Sequence, residues 1–178
     1  MSKTNNFVFT AVKIVAWIIF VGLSIEAGAL IINFIISLFK PEIVKNLYQK
    51  LDLSDVYRKS KMAYFSMCGF ILFISVFKAA LFYVIIKLVT KIDLSKPFNS
   101  FVSRQIFQIS YFTLSIGLLS YIAQQSAKSL MQYGIDTANL NHFWEGSQGF
   151  ILMAGVIYII AIIFKKGLEI QTENDLTV

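Results

Sequence analysis

Residues 148–164 read QGFILMAGVIYIIAIIF, seventeen positions without a charged side chain and with large apolar residues at most of them. A helix that crosses the ~30 Å hydrocarbon layer of a bilayer needs about 20 such residues. Working back along the chain, three more windows meet the same demand: 105–127, 62–89 and 8–39. The last of these is the longest, and at 1.5 Å per residue it reaches about 48 Å, so it tilts in the bilayer or projects from it. It closes at Lys40-Pro41, where proline ends a helix. Composition agrees: 57% of the 178 residues are hydrophobic, 15% are charged, and mean hydropathy is +0.69. A soluble domain lies near 45–50% apolar and about 25% charged. These values exclude a water-soluble globule and a disordered chain, and a single cysteine excludes an internal disulfide scaffold. The chain reads as an all-α integral membrane bundle of four transmembrane helices, one membrane domain over residues 1–178.

A signal-peptide reading of the first window, from Lys3 and the small residues Ala27-Gly28-Ala29, fails because Glu26 interrupts the cleavage region and the apolar run continues to Phe39. Four spans put both termini on one side. The positive-inside rule does not name the side: eight Lys and Arg residues flank the terminal face and seven the opposite one. In the first connection, Ile43, Leu47 and Leu51 recur every four residues beside Val44 and Tyr48, with Glu42, Lys45, Asn46, Gln49 and Lys50 between them. That period predicts a short interfacial helix, lying flat at the headgroups or packed on the end of the bundle. In the second connection Ser95 is placed to cap a helix with Pro97 in its first turn, and Phe98, Phe101 and Val102 share a face. In the third, Tyr133, Phe143 and Trp144 suit an interfacial aromatic belt, and Gly134 and Gly146 mark turns.

Catalytic constellations are nearly absent from the sequence. His142 is the one histidine and Cys68 the one cysteine, and there is no HExxH, CxxC, GxSxG or phosphate-binding glycine loop. No enzyme activity, metal or cofactor is expected. Two ionisable residues do lie inside the spans, Glu26 and Lys78. A lone charge at mid-bilayer costs ~2.5–3.5 kcal/mol on insertion scales, so such groups face the bundle and find partners. Counted from the shared turn, the two differ by roughly three residues, ~4.5 Å in depth, within reach of an intramembrane ion pair. That pair serves helix register or, in a small oligomeric transporter or channel, an ion path. Asn33, Gln108, Ser110, Ser115, Ser120, Gln124 and Gln125 are expected to join helices, and Ser24 with Gly28 to offer a close-packing face.

The chain ends IFKKGLEIQTENDLTV (163–178), and residues 93–109 read DLSKPFNSFVSRQIFQI. Both stretches resemble signatures of a family of small bacterial four-helix membrane proteins, domain of unknown function 2975 (DUF2975). The resemblance implies a bacterial inner (cytoplasmic) membrane protein without enzyme activity, with cytoplasmic N- and C-termini. It further implies pairing with a small helix-turn-helix transcription regulator, contacted through Lys96, Pro97, Phe98 and Arg104 and through Glu169, Glu173, Asn174, Asp175 and Leu176 of the tail. The net charge of +6 sits in short membrane-flanking segments, which suits anionic lipid headgroups and not a nucleic-acid groove. A homo-oligomer, or an accessory subunit packed in a larger membrane complex, is the remaining expectation for partners within the bilayer.

Overall fold

The computed structural model describes residues 3–93 and 97–176, with side chains over 7–93 and 97–173. Four long helices carry the fold: α1 (Lys3–Phe39), α3 (Lys61–Lys91), α4 (Ser100–Gln132) and α6 (Ser147–Leu176). All four contain stretches long and apolar enough to cross a membrane. Two short helices, α2 (Ser54–Lys59) and α5 (Asn141–Trp144), lie in the first and third connections.

The long helices pack as a row. α1 rests on α3, α3 on α4, and α4 on α6. Burial follows that order: the apolar windows of α3 and α4 are 33% and 39% buried, against 6% for α1 and 17% for α6. Hence α3 and α4 are the inner helices, and the flanking pair turns most of its surface to lipid. On α1, Ile14, Ile18, Ile25 and Ile32 form such a lipid-facing stripe at spacings of four and seven residues. Inside lipid there is little hydrophobic drive between helices, so close approach and hydrogen bonds hold the row together. Ser110 Oγ of α4 donates to the Ala154 carbonyl of α6 at 3.0 Å, inside the pair. Where α4 crosses α6, Gly117 leaves no space: a Cβ there would stand 2.7 Å from Ile151 Cγ1 and 2.9 Å from its backbone nitrogen. The expected close-packing face at Ser24 and Gly28 is corrected by this observation. Nothing lies within 4 Å of a Cβ at Gly28, and Ser24 Oγ donates to the Phe20 carbonyl of its own helix.

The largest buried cluster is at the end of the row opposite the termini. Val44, Leu47, Leu51, Leu53 and Val56 of the first connection and Ile135, Leu140, Phe143 and Trp144 of the third pack on Tyr64, Met67, Cys68, Ile71 and Ile74 of α3 and on Ala123 and Ala127 of α4. The short helix foreseen in the first connection is α2, but the four-residue recurrence of Ile43, Leu47 and Leu51 is not one helix. The chain makes a 3₁₀ turn at Pro41–Lys45 and a tight turn with left-handed residues at Tyr48–Lys50, and Leu47 and Leu51 form an isolated antiparallel bridge. Folding back in this way buries both leucines, at 5% exposure each, which one straight amphipathic helix cannot do with the groups at 44, 53 and 56 as well. Phe143 and Trp144 are likewise core and not an aromatic belt; Trp144 is fully buried, and only Tyr133 of the three is exposed.

Asp55 and Lys59 of α2 tie the first and third connections into one cap. Asp55 Oδ2 pairs with Lys59 at 2.9 Å, Asp55 Oδ1 with Arg58 at 3.2 Å, and the Asp136 backbone N–H donates to Asp55 Oδ2 at 3.4 Å. Lys59 also donates to the Gly134 carbonyl. The Lys59 ammonium, followed by the Asp136 N–H, holds the Asp55 carboxyl below its ordinary range. Underneath, the buried Tyr64 hydroxyl donates to Ser37 Oγ at 2.7 Å and so joins α3 to α1.

Candidate functional site

The two segments expected to contact a partner meet at the terminal end of the row. After the second connection the chain runs Pro97-Phe98-Asn99 in non-helical conformation, and α4 starts only at Ser100. The cap is Asn99, whose side-chain oxygen accepts from the Val102 N–H at 2.9 Å. Pro97 is therefore ahead of the helix and not in its first turn; Ser95 and Lys96 lie outside the described residues. Release from the helix lets Phe98 reach across to α6. Its ring stacks at a tilt on Phe164, centroids 5.3 Å apart, and covers Gly167, where a Cβ would stand 2.7 Å from Phe98 Cδ1. Only glycine allows that contact without moving the ring.

Beneath the joint, Val102 and Ile106 of α4 pack on Ala161 of α6 with Leu88, Ile92, Phe101 and Ile157 around them. Arg104 is exposed on α4. Beyond Phe164, α6 stays helical through Glu169 and Glu173 to Leu176, supported by the Lys166–Glu169 ion pair at 2.7 Å. Asn174, Asp175 and Leu176 belong to this helical extension; their side chains lie outside those described. Thus Phe98 is joined to the base of the tail, while Arg104 and the carboxylates of Glu169 and Glu173 stand on separate helices.

Within the membrane, Lys78 Nζ donates to the Phe143 carbonyl at 3.2 Å. The third connection brings that carbonyl to α3, and a backbone oxygen is a strong acceptor for a half-buried ammonium. Glu26, half-buried on the adjacent α1, is close enough to act on Lys78 electrostatically. No ion pair within 4.0 Å joins Glu26 to Lys78, so the two are neighbours without direct contact. Other polar groups of the spans close on nearby carbonyls: Asn33 on Ala29 at 2.7 Å, Thr113 on Ile109 at 2.7 Å. No group of three or more His, Cys, Asp or Glu among the described residues is placed to hold a metal ion. Cys68 is buried in the cap core, and the His142 ring lies against Phe143.

Sequence reasoning overlooked the cap and its surface. A signal was present in the irregular spacing of buried positions 44, 47, 51, 53 and 56, which matches neither a helical nor a strand period. Asp52 supplies another: its carboxylate accepts the Ser54 N–H at 2.8 Å, a turn that interrupts any helix there. The Ser54 hydroxyl and N–H together hold the Asp52 carboxyl below its ordinary range.

No curated protein and no solved structure matches the chain. A family model described as a protein of unknown function, DUF2975, matches residues 43–178, which takes in the cap, α3, α4 and α6. With most of its length matched, from the first connection to the last residue, this multi-pass membrane protein belongs to the DUF2975 family.

Proposed function

We propose that this protein is a non-enzymatic regulatory membrane protein, with a sensing cap on one side of the bilayer and a docking face for a soluble regulator on the other. The observation that carries the reading is the seat of Phe98 on Phe164 and Gly167. It couples the start of α4 to the base of the helical tail, and α4 runs without interruption to the cap core through Ala123 and Ala127. A shift of the cap on α4 is thereby carried to the face where the tail leaves the membrane. Packed helices of this kind carry coupling between distant sites where they have two discrete arrangements. The docking face combines an exposed aromatic, the Arg104 guanidinium and the acidic tail, a mixture suited to a protein surface. The partner fitting the family expectation is a small helix-turn-helix regulator, which places the termini in the cytoplasm of a bacterial cell.

The test is co-purification of the full chain, in detergent, with a small helix-turn-helix regulator from the same cell. Removing residues 167–178, or replacing Phe98 by Ala, is expected to abolish capture. Undiminished capture by both variants removes the docking face from the reading. A second reading, a small oligomeric transporter, draws on the half-buried Glu26 beside Lys78. Ion or proton flux in liposomes that disappears with Glu26→Gln supports it against regulation.

A further inference from the structure

The two outer connections leave a crevice of about 450 Å³ between them at the surface of the cap. One wall is the tip Tyr48–Lys50 and the other is the α5 segment. The lining includes Gln49, Lys50, Asn139, Asn141, His142 and Glu145. Both walls are held rigid from below. The tip is pinched by buried Leu47 and Leu51, with the Leu47 N–H donating to the Leu51 carbonyl at 2.9 Å. α5 is anchored by buried Phe143 and Trp144.

The tip is also strained. Gln49 and Lys50 take φ of 58° and 60°, two consecutive left-handed residues that are not glycine. Such conformations cost energy and persist where surrounding structure over-determines them, commonly at ligand sites. Here the cost sets an amide and an ammonium at the edge of the crevice. Glu145, at the end of α5, lines the other wall. The ion pairs among the described residues involve neither Lys50 nor Glu145. Opposite charges that do not pair with each other therefore line the two walls of one crevice, with the Gln49, Asn139 and Asn141 amides supplying both donors and acceptors.

We propose that this crevice binds a small zwitterion, an amino acid or short peptide, whose carboxylate meets Lys50 and whose amino group meets Glu145. A neutral apolar molecule leaves the polar lining unsatisfied, and a purely anionic or cationic one meets one like charge. The volume lies in the range of small-molecule sites. Rigid walls reduce the ordering cost of binding. The ligand assignment gives the sensing reading its stimulus and rests on that reading only for its consequence. Binding is measured on the purified protein with no regulator present, so a failed co-purification leaves this test intact.

The experiment is calorimetric titration of the full chain in detergent with the common amino acids, dialanine and trialanine. At least one member is expected to bind saturably. Lys50→Met and Glu145→Gln are each expected to weaken it about tenfold, the scale of one charge-assisted contact. N-acetylated and amidated forms of the same member are expected to weaken similarly, a readout that general destabilisation does not produce. Unliganded melting of both variants should match the parent, because both side chains are exposed. No binding by any member up to about 10 mM, a threshold weaker than ordinary ligand affinity, overturns the proposal. So does binding that both variants leave unchanged.

Discussion

Gly117→Ala separates the close approach of α4 and α6 from helix propensity in general. Added to α4, a methyl group would lie 2.7 Å from Ile151 Cγ1, 2.9 Å from its backbone nitrogen and 3.2 Å from Phe150 Cβ. Ordinary carbon contacts need ~3.5–4.0 Å, so the helices must part by roughly 0.5–1 Å. The nitrogen is fixed in α6 and cannot rotate away as a side chain could. Parting also draws out the Ser110–Ala154 hydrogen bond, now 3.0 Å, towards the ~3.2 Å upper range of such bonds. Overpacking of this kind costs ~1–3 kcal/mol, and lengthening the bond adds part of its ~1 kcal/mol. Against this, alanine in a helix gains ~1 kcal/mol over glycine. The net expectation is a loss of ~1–2 kcal/mol, a fall in melting midpoint of several degrees for a chain this long. Gly155→Ala, where nothing lies within 4 Å of the Cβ, keeps the gain without the clash and should be neutral or stabilising. Thermal unfolding in detergent, followed by circular dichroism, compares the two. If Gly117→Ala melts at or above Gly155→Ala, the tight α4–α6 crossing does not limit the size of residue 117.

Gly167→Ala meets only the edge of the Phe98 ring, a group able to swing into solvent, so its melting midpoint should stay within a degree or two of the parent while regulator capture falls. Leu53→Ala opens space beside a cavity of about 20 Å³ that Leu53 and Cys68 both line. It should cost ~2–5 kcal/mol and raise the rate at which a thiol-reactive dye labels Cys68. Tyr64→Phe removes the bond to Ser37 and should lower stability by ~0.5–1.5 kcal/mol, read by the same melting assay. The Asp55 carboxyl is held below its ordinary range in the folded cap. Its contribution is therefore complete above the ordinary carboxylate pKa of ~3.9 and is lost as pH falls through the lower folded value. The protection of the Asp136 N–H against hydrogen exchange, taken relative to the intrinsic rate at each pH, should fall on acidification below about pH 4, and Asp55→Asn should flatten that response.

The cap shows why some of this was legible and some was not. Ile43, Leu47 and Leu51 recur at a helical interval, yet the decisive neighbours of Leu47 and Leu51 are each other, Val44 and Leu53, together with groups on α3. Trp144 is indistinguishable in composition from an interfacial anchor until Phe143, Leu140 and the first connection close over it. Gly28 and Gly117 both stand in apolar helices, and only the path of α6 makes the second one tight. In the same way, an ion pair between Glu26 and Lys78 is reasonable by depth alone. The third connection, distant in the chain, delivers the carbonyl that receives the lysine.

By itself the sequence determined the solvent, the number of crossings and the family. Each depends on a quantity summed within one short stretch: transfer free energy over about 20 residues, compared with a hydrocarbon layer of given thickness, or the wording of a segment. The tertiary structure alone decided the order of the row, the sealed cap with its strained tip, and the seating of Phe98 over Gly167. Those are contacts between segments far apart in the chain, where a shift of an ångström changes which atoms touch, and no local sum of residue properties contains that distance.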